Sequence, residues 1–441
     1  MDWELTLSKS AFTELLARLT SDPGRVNLCP AGLGRLAERR LVLVHGLDVA
    51  GAAARKMEAR LVVVGSTTGG DLQDRVLQVM RRPPVEAPAV YLGLGVHDAR
   101  GHVAGETVST GGIVPLESFR VVAETLPQAT LGRSAHLVSP QPGDFPEMWS
   151  RTIGALQGET WEKLTGLRVV LFGCGRTGSL VSNALARTGV RDLTLVDPDR
   201  LELHNLGEMD GVTLKDTGRS KVESVAESLR LSQLIAGSVV RDLVEPAFSL
   251  SALVAAKEGD FLISCVDNAA ARLTVAILGT LFLKPTLDIA TGILGSQVSG
   301  LRMGADVRLL LPGQCLVCFG GIAGVGQGAA ELSGVATAAM DWRNQRAGSL
   351  RSLNMVAVGS ALRLMEDFLA GRVGESTWLS LDYSNGMPRF RQNAPVPLSQ
   401  PCPVCALTAA GDAGLSQTQE LLRLLTGREA GLVPVAAYRS A

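Results

Sequence analysis

A glycine-rich hexapeptide, GCGRTG, follows an apolar strand-like run and precedes a helix-like segment. Gly173 permits a tight turn, Gly175 lets the backbone approach a phosphate, and Gly178 lets the helix pack on the strand. The N–H groups at the start of a helix favour an anion there. Asp197 ends the next strand-like run, where a carboxylate reaches ribose hydroxyls. The pattern predicts a nucleotide site without separating NAD from ATP, and a glycine turn needed only for packing is the alternative.

Two CxxC pairs form a second pattern that can carry chemistry. CLVC supplies Cys315 and Cys318, and CPVC supplies Cys402 and Cys405. Each pair can offer two thiolates to one tetrahedral ion, and four thiolates complete a structural zinc site. Because the gap between the pairs is long for a zinc finger, the ion would join two distant segments. Two unrelated turns or a redox pair are the alternatives, although neither pair has a thioredoxin-like strand-to-helix context.

Polar residues follow two further strand-like runs. Asp199, Asn205 and Lys221 lie beyond the run that Asp197 ends, and Asp267 lies in CVDN at the end of a later run. The carboxyl ends of parallel strands face the ligand crevice of a sheet. We therefore predict that these side chains line the nucleotide site, with Asp267 holding magnesium and phosphates. A solvated lysine on a helix face and an aspartate that caps the following helix are the alternatives.

The segments that must position these residues alternate between strand and helix. LRVVLFG, DLTLVD, GDFLISCVD and PTLDIATG are typical of buried strands, and helix-like segments separate them. This alternation predicts an α/β fold of right-handed βαβ units with both faces of the sheet covered. RTIGALQGETWEKL and RSLNMVAVGSALRLMEDFLAGR are predicted helices, whereas residues 319–349 are predicted to form a long loop.

A proline-rich stretch, SPQPGDFPEMWS, divides the chain. It predicts a smaller mixed α/β domain over residues 1–145, a second domain over 146–410, and a C-terminal helix (QELLRLLTGR) and tail over 411–441. In the first domain, SKSAFTELLARL has the apolar spacing of a helix, and LVLVHGLDV, ARLVVVG, AVYLGLGV and FRVVAETL have strand character.

Composition excludes several classes of protein. Of 441 residues, 46% are hydrophobic and 19% charged, which is enough apolar material for real cores. The formal net charge of −1 argues against a nucleic-acid surface. No apolar run approaches the about 20 residues of a membrane span, and the first residues lack a signal-peptide pattern. Seven cysteines without an export signal indicate a reducing compartment, so we expect a cytoplasmic protein.

The segment from SRTI to LELHNL, the CVDN motif and the two CxxC pairs together resemble the ThiF/MoeB/HesA superfamily, the adenylating domains related to ubiquitin-activating enzymes. The resemblance covers roughly residues 148–406. It implies a Rossmann-like domain with a mostly parallel sheet, in a homodimer. It also implies that ATP adenylates the C-terminal glycine of a small ubiquitin-like, β-grasp protein and that pyrophosphate is released. A thiol acceptor, a conjugating enzyme or a sulfur donor would then receive the activated carboxylate.

The resemblance also implies roles for individual residues. Arg151, Lys221 and Asp267 would be catalytic, and Arg151 of SRTI matches an arginine that reaches the phosphates from the partner subunit. Arg176 lies inside the phosphate loop. The residues placed at the cofactors ATP, Mg²⁺ and structural Zn²⁺ are Gly173, Gly175, Gly178, Asp197, Asp199, Asn205, Lys221 and Asp267 around the nucleotide, and Cys315, Cys318, Cys402 and Cys405 around zinc.

Two departures from the family pattern bear on activity. Glu208 in HNLGEM stands where a phosphate-binding arginine is expected, and Arg176 is the candidate to compensate. Many relatives carry a thioester-forming cysteine after the first CxxC, but residues 319–401 contain none. Cys174 and Cys265 fit small buried residues better, so we expect adenylation without a thioester on this chain. A scaffold that presents a ubiquitin-like partner and a nicotinamide-dependent oxidoreductase are the alternative functions.

The first domain is similar to the JAB/MPN isopeptidase fold, which some bacterial ThiF-type chains carry at the N-terminus. The similarity lies in LTLSKSAFTELLARL and LVVVGSTTGGDLQDR. Gly65 and Thr67 occupy the two histidine positions of the zinc motif, Asp71 occupies the serine position, and only Asp74 matches. These residues cannot form the metal site. The similarity therefore implies a catalytically dead MPN-like module that serves as a docking or dimer surface. Nor do the histidines of this unit have ligand spacing to one another: His45, His97, His102 and His136.

Overall fold

Two β-sheets with flanking helices form the described part of the chain. The computed structural model describes residues 2–22, 26–47, 59–66, 78–79, 89–96, 103–109, 116–122, 146–232, 238–296, 300–322, 350–383, 387–396, 401–415 and 418. Within those residues, a seven-stranded first sheet is followed by an eight-stranded second sheet.

The first sheet is mixed and has the strand order β6-β5-β4-β2-β3-β1-β7. Strand β1 runs parallel to β3 and β7, whereas β2 runs antiparallel to β3 and β4. Its strands are β1 (Asp2–Ser8), β2 (Val26–Arg35), β3 (Arg39–Val44), β4 (Ala59–Ser66), β5 (Ala89–Val96), β6 (Val103–Ser109) and β7 (Leu116–Val122).

Helix α1 (Lys9–Ser21) follows β1 and covers the first sheet. Ser8 begins it, because the Ser8 hydroxyl accepts a hydrogen bond from the backbone N–H of Ala11. Phe12 and Leu15 of the helix pack in one buried cluster with strand residues of the sheet. The predicted helix and the four predicted strands of this region, which are β3, β4, β5 and β7, are confirmed, whereas β1, β2 and β6 were not predicted.

The second sheet has the order β10-β9-β8-β11-β12-β13-β14-β15, and its first five strands are parallel. The last three join through antiparallel pairs. The predicted α/β fold with a mostly parallel sheet is confirmed. The strands are β8 (Arg168–Phe172), β9 (Asp192–Val196), β10 (Val239–Leu243), β11 (Phe261–Ser264), β12 (Thr286–Ser296), β13 (Gly300–Leu310), β14 (Thr377–Asp382) and β15 (Arg389–Asn393).

Helices lie on both faces of the second sheet, as the alternating pattern predicts. Side chains alternate along β8: Val169 and Leu171 belong to one buried cluster, and Val170 and Phe172 belong to another. The helices are α2 (Pro146–Leu156), α3 (Gly158–Thr165), α4 (Arg176–Thr188), α5 (Lys221–Ser232), α6 (Leu250–Glu258), α7 (Ala269–Leu281) and α8 (Arg351–Leu369).

The single helix predicted for RTIGALQGETWEKL is wrong, because the chain breaks between α2 and α3. Gln157 has a positive φ of 72° and a ψ of 150°, a conformation outside the helical region. The break brings the rings of Trp149 and Trp161 to 5.8 Å, although a continuous helix would separate these residues by about 18 Å. The two indole N–H groups donate to the carbonyls of Arg187 and Thr188 at the end of α4. These contacts explain the break, which no helix-period pattern reveals.

A buried ionic cluster joins the two sheets. Asp260, just before β11, accepts hydrogen bonds from the backbone N–H of Arg168 at 3.0 Å and from its guanidinium at 2.7 Å. It also pairs with Arg120 of β7 in the first sheet. Glu4 of β1 and Lys284, before β12, are 6% exposed, and both interact electrostatically with Arg120 and Arg168. We call these five residues the ionic junction.

Several predictions fall outside the described residues. Most of the predicted loop (323–349), the predicted C-terminal helix QELLRLLTGR, and Thr67, Asp71 and Asp74 of the degenerate zinc motif belong to this group. His97, His102 and His136 do as well. Gly65 lies in β4. Among the helices that are described, none is long and apolar enough to cross a membrane.

Candidate functional site

The glycine turn between β8 and α4 has the conformation and the close contacts that only glycine allows. Gly173 has φ of +85°, and a Cβ there would lie 2.8 Å from the backbone of Cys265. A Cβ on Gly178 would lie 1.9 Å from the Gly173 carbonyl oxygen. Gly175 differs, because a Cβ there would meet no atom within 4 Å. Two of the glycines are thus required by packing, whereas Gly175 faces open space.

The start of α4 is open to an anion. Gly175 is its N-cap, and no side chain in the described part of the chain makes the usual capping hydrogen bond. The first N–H groups of a 13-residue helix therefore point to the turn without a side-chain acceptor. A phosphate oxygen is the kind of acceptor that such N–H groups bind. Arg176, the first residue of this helix, is exposed beside the turn.

Asp197 is held against the glycine turn. One carboxylate oxygen accepts from the backbone N–H of Cys174 at 2.7 Å, and the other accepts from that of Asp199 at 2.8 Å. The residue is 6% exposed. Burial raises the pKa of Asp197, and the nearby Lys221 charge and the two backbone N–H groups offset only part of that rise. Each oxygen keeps a second lone pair, so the carboxylate can also accept from a ligand hydroxyl.

Lys221, the first residue of α5, completes this polar group. Its ammonium donates to Asp199 at 2.7 Å, and its side chain is 13% exposed against 63% for Asp199. Burial lowers the pKa of Lys221, but Asp197, Asp199 and Asp267 together raise it above its ordinary value. The ammonium is therefore charged at neutral pH. It lies close enough to three carboxylates to balance part of their charge.

Asp267 and Asn268 follow β11 and have different roles. Asn268 is the N-cap of α7, since its side-chain oxygen accepts from the backbone N–H of Ala271 at 2.8 Å. Asp267 is exposed and contributes to the field at Lys221. The alternative interpretation of Asp267 as the helix cap therefore does not hold, because its neighbour performs that role.

Asn205 is committed to the local turn. It ends a short 3₁₀ helix, Leu203–Asn205, and its side-chain oxygen accepts from the backbone N–H of Glu202 at 2.9 Å. This capping box fixes the segment that leads from Asp199 toward Glu208. Asn205 is half-buried. Its side chain therefore holds the conformation of the segment that lies at the edge of the second sheet.

Glu208 contacts α8. Its carboxylate accepts from the amide of Asn354 at 3.4 Å, and its carbonyl accepts from Arg351 at 3.0 Å. Arg351 also pairs with Asp210. Asn354 is 1% exposed and accepts from the Thr291 hydroxyl of β12 at 2.8 Å. The position that carries arginine in the resembling family therefore belongs here to a polar network that ties the 205–210 segment to α8.

Arg151 lies away from the other predicted site residues of its own chain. It is exposed on α2, whose Trp149 contacts the C-terminal end of α4. The glycine turn lies at the opposite end of α4, about 20 Å away along the helix axis. Within one chain, the structure brings together the glycine turn, Asp197, Asp199, Lys221 and Asp267, but not Arg151.

The four CxxC cysteines converge. Cys315 Sγ lies 3.9 Å from Cys318 Sγ and 3.5 Å from Cys402 Sγ. Cys318 Sγ lies 3.5 Å from Cys405 Sγ, and all four sulfurs lie within 4.8 Å of one another. A Zn–S bond of about 2.3 Å requires tetrahedral sulfur separations of about 3.8 Å. The donor set and its spacing therefore fit one Zn²⁺, and this is the only such cluster among the described residues.

The cysteines beside the glycine turn are poor nucleophiles. Burial raises the pKa of Cys174 well above its ordinary value, and Asp197 adds to that rise. Burial, with a smaller effect of Asp288, also raises the pKa of Cys265. A thiol with a raised pKa is mostly protonated at neutral pH and reacts slowly. This agrees with the expectation that neither residue forms a thioester.

Sequence reasoning missed the network around Glu208. Ser179 of α4 accepts from the backbone N–H of Asp210 at 3.0 Å, and Arg351 pairs with the Asp210 carboxylate from α8. Ser179, Asp210 and Arg351 are far apart in the chain, and no pattern in the sequence links them. The one available signal was the placement of Arg351 at the first position of a strong helix pattern.

Comparison with known proteins identifies the family of this chain. The ThiF family model matches residues 149–438, about two thirds of the chain. Molybdopterin-synthase adenylyltransferase of Escherichia coli is 38% identical over 112 residues, which are 25% of this chain and 44% of that protein. Ubiquitin-like modifier-activating enzyme 5 of Gallus gallus is 28% identical over 174 residues, 36% of this chain and 41% of that protein.

The aligned region thus spans less than half the length of either relative. Among solved structures, E. coli MccB with ATP is similar with a TM-score of 0.44 and 19% identity, over 58% of this chain and 74% of that one. The family match covers the glycine turn, Asp197, Lys221, Asp267 and all four cysteines. The chain therefore belongs to the ThiF family.

Proposed function

We propose that this protein uses ATP to adenylate the C-terminal carboxylate of a ubiquitin-like protein or a related peptide. One observation carries the proposal: an uncapped helix start at the glycine turn lies beside the Asp197–Lys221–Asp199 group. The helix start suits phosphates, and the adjacent buried carboxylate suits ribose hydroxyls. Family membership and the activities named for the relatives support the same reaction class.

In this proposal, each side chain either binds ATP or stabilises the negative charge of its phosphates. Asp197, oriented by the N–H groups of Cys174 and Asp199, accepts from the ribose. Lys221 turns from Asp199 toward the phosphates and stabilises negative charge as the carboxylate attacks the α-phosphate and pyrophosphate leaves. Asp199 and Asn205 shape the pocket, and Arg176 stands at the phosphate loop. Positioning and charge neutralisation supply most of the rate.

Asp267 is the candidate ligand of Mg²⁺. It is exposed at the end of β11, near Lys221, and Asn268 relieves it of the capping role. Magnesium bound there would neutralise phosphate charge and orient the leaving group. The four cysteines would hold a structural zinc ion that lies outside the chemistry.

In this proposal, the Arg151 that acts at each nucleotide site belongs to a second copy of the chain. Its separation from the glycine turn within one chain favours an action across a homodimer, in which an exposed arginine of one protomer neutralises phosphate charge in the other. The raised pKa of Cys174 and of Cys265 favours transfer of the adenylate to an external thiol acceptor, conjugating enzyme or sulfur donor.

ATP–pyrophosphate exchange tests the reaction. We expect exchange only with a ubiquitin-like protein or peptide that ends in glycine, and expect Asp267→Ala to abolish it. Asn268→Ala is the matched control, because it removes the adjacent helix cap while leaving Asp267 in place. Equal loss in both variants would mean that the end of β11 matters only for folding.

Mixing two inactive variants tests the action across the dimer. In this proposal, each active site contains Asp267 of one protomer and Arg151 of the other. Arg151→Ala and Asp267→Ala each inactivate both sites of their own homodimer. A mixed dimer then has one intact site, and random mixing restores about a quarter of the wild-type exchange rate. If Arg151 acts within its own chain, mixing restores nothing.

The exchange assay also decides between enzyme and scaffold. Glu208 and its contacts with Asn354 and Arg351 are the observation that favours a protein that binds a ubiquitin-like partner without turnover. If no candidate carboxylate supports exchange although ATP binds, and Glu208→Arg gains exchange, the scaffold is correct. Exchange by the wild type excludes it.

The domain division is also part of the proposal. The change from the first sheet to the second, between β7 and α2, supports a first domain over 1–145 and an adenylation domain over 146–410, with a C-terminal helix and tail over 411–441. The MPN-like identity of the first domain and the cytoplasmic location stay predictions.

A further inference from the structure

The segment that carries the second CxxC pair runs between the two sheets. After the 3₁₀ turn Cys405–Leu407, the backbone N–H of Ala409 donates to the Thr280 carbonyl of α7 at 3.1 Å. On the other side, a Cβ on Gly32 of β2 would lie 1.9 Å from the Ala409 carbonyl oxygen. Leu33 forms a parallel β-bridge with Gly411. The segment thus contacts the second sheet's helix layer and the first sheet through its backbone.

A buried ion pair fixes the end of this segment. Asp412 accepts from the backbone N–H of Arg35 in β2 at 2.8 Å, and the Lys257 ammonium of α6 lies 2.6 Å from its carboxylate. Lys257 also donates to the Arg35 carbonyl at 3.1 Å. The side chains of Lys257 and Asp412 are 3% and 8% exposed. Such a pair needs close placement of all three elements, because a misplaced partner leaves a buried charge uncompensated.

The first CxxC pair touches the first sheet as well. Gly313, which leads into Cys315 with φ of +95°, lies so close to His45 that a Cβ there would be 3.2 Å from the imidazole. His45 follows β3 and is half-buried. Both limbs of the four-cysteine cluster therefore contact the first sheet, one through Gly313 and one through residues 409–412.

We propose that a metal ion bound at the four-cysteine site holds the first sheet in position against the second sheet. We call this site the joint, and it is separate from the nucleotide site. Cys315 and Cys318, which follow β13, lie 3.5 Å from Cys402 and Cys405 respectively, a separation that suits bonds to one ion. When an ion binds, it fixes the 401–415 segment, whose far end makes the contacts with β2. The inference is independent of the adenylation proposal.

Hydrogen exchange on the full-length zinc-loaded protein tests this joint. We expect amides of β2 to exchange at least about tenfold faster after a chelator removes zinc, while amides of β8 and β9 keep their protection. Adding ZnCl₂ back restores β2 protection. Unchanged β2 protection in the metal-free protein overturns the proposal, and so does equal loss in β2, β8 and β9, which makes the metal a requirement of the whole fold.

Two variants separate the joint from the metal. Gly32→Ala opposes the approach of Ala409, and Asp412→Asn breaks the ion pair with Lys257. Both keep all four cysteines, so we expect one bound zinc and fast β2 exchange. Cys402→Ser is expected to lose zinc and show the same β2 exchange. If either folded, zinc-loaded variant protects β2 like the wild type, the contacts at 409–412 do not hold the sheets together and the proposal is wrong.

Discussion

Charged side chains concentrate in two regions of this molecule, the edge of the second sheet at the glycine turn and the ionic junction between the sheets. At the edge, Asp199 is 63% exposed and Asp267 is exposed as well. At the junction, the side chain of Asp260 is only 10% exposed and contacts two arginines from different sheets. The edge thus presents its charges outward, whereas the junction neutralises them internally.

The same difference appears in the two buried carboxylates. Burial raises the pKa of Asp197, and the lysine and backbone donors around it leave the pKa raised. Burial also acts to raise the pKa of Asp260, but Arg120 and Arg168 outweigh it, so that its pKa lies well below the ordinary value. A perturbed pKa alone therefore does not identify a functional site. Incomplete neutralisation beside an open helix start is what distinguishes the edge.

The largest effect is expected at the junction. Asp260→Asn removes the charge of a nearly buried carboxylate and leaves the half-buried Arg120 and Arg168 without their main counter-charge, which should lower the free energy of unfolding by about 3–5 kcal/mol. Urea unfolding measures this change. Asp192→Asn is the control, because its pair with Arg241 is more exposed and should contribute about 1 kcal/mol or less. Equal losses in the two variants would remove the distinction between junction and surface.

The second largest effect is expected at the edge, where a substitution in the glycine turn displaces the backbone. Gly178→Ala places a methyl group 1.9 Å from the Gly173 carbonyl oxygen. A backbone atom cannot rotate away, so we expect a loss of about 3 kcal/mol in the free energy of unfolding, together with loss of ATP binding. Gly154→Ala, in the interior of α2 with open space around it, should instead stabilise by about 0.5–1 kcal/mol. A tolerated Gly178→Ala would contradict the tight turn.

A third prediction concerns pH and the junction. Burial, with the charge of Arg120 next in importance, lowers the pKa of Lys284 to about 7 from 10.5, although Asp260 and Glu4 oppose the change. Between these values the unfolded chain binds this proton and the folded chain does not. Lys284 therefore makes the free energy of unfolding rise with pH by up to about 1.4 kcal/mol per unit in that window.

Lys284→Met removes this contribution, so the difference in stability between variant and wild type should move in favour of the wild type as pH rises from 7 to 9. Urea unfolding at pH 7, 8 and 9 measures it. The exposed Lys215→Met controls for the general effect of removing a lysine. A difference that stays constant with pH would show that Lys284 keeps its proton in the folded protein.

The two regions also differ in how far the sequence predicts them. GCGRTG is a local pattern, and Gly173 and Gly178 lie in the tight contacts that the pattern implies. One zinc ion needs four thiolates and each CxxC pair supplies two. The cluster of four sulfurs could therefore be predicted despite the long gap between the pairs. The junction has no such signal. Arg120 and Asp260 come from different sheets, and a lone arginine on a strand is ordinarily a surface residue.

The remaining errors have the same physical origin. The break at Gln157 depends on where Trp149 and Trp161 find carbonyl acceptors on α4, which is tertiary information. Strand β2 was not predicted, because Pro30 and two glycines interrupt its strand pattern, yet Gly32 is needed for the approach of Ala409. A local pattern cannot reveal a residue type chosen for a contact with a distant part of the chain.

The smallest effect separates two neighbours at the edge. Asn268→Ala removes the N-cap of α7 and should cost about 1 kcal/mol in the free energy of unfolding. Asp267→Ala removes an exposed carboxylate beside it and should change stability by less than about 0.5 kcal/mol. Thermal unfolding of the two variants under identical conditions measures both. If Asp267→Ala costs as much as Asn268→Ala, Asp267 supports the fold like the residues of the junction. The edge would then no longer differ from the junction at this position.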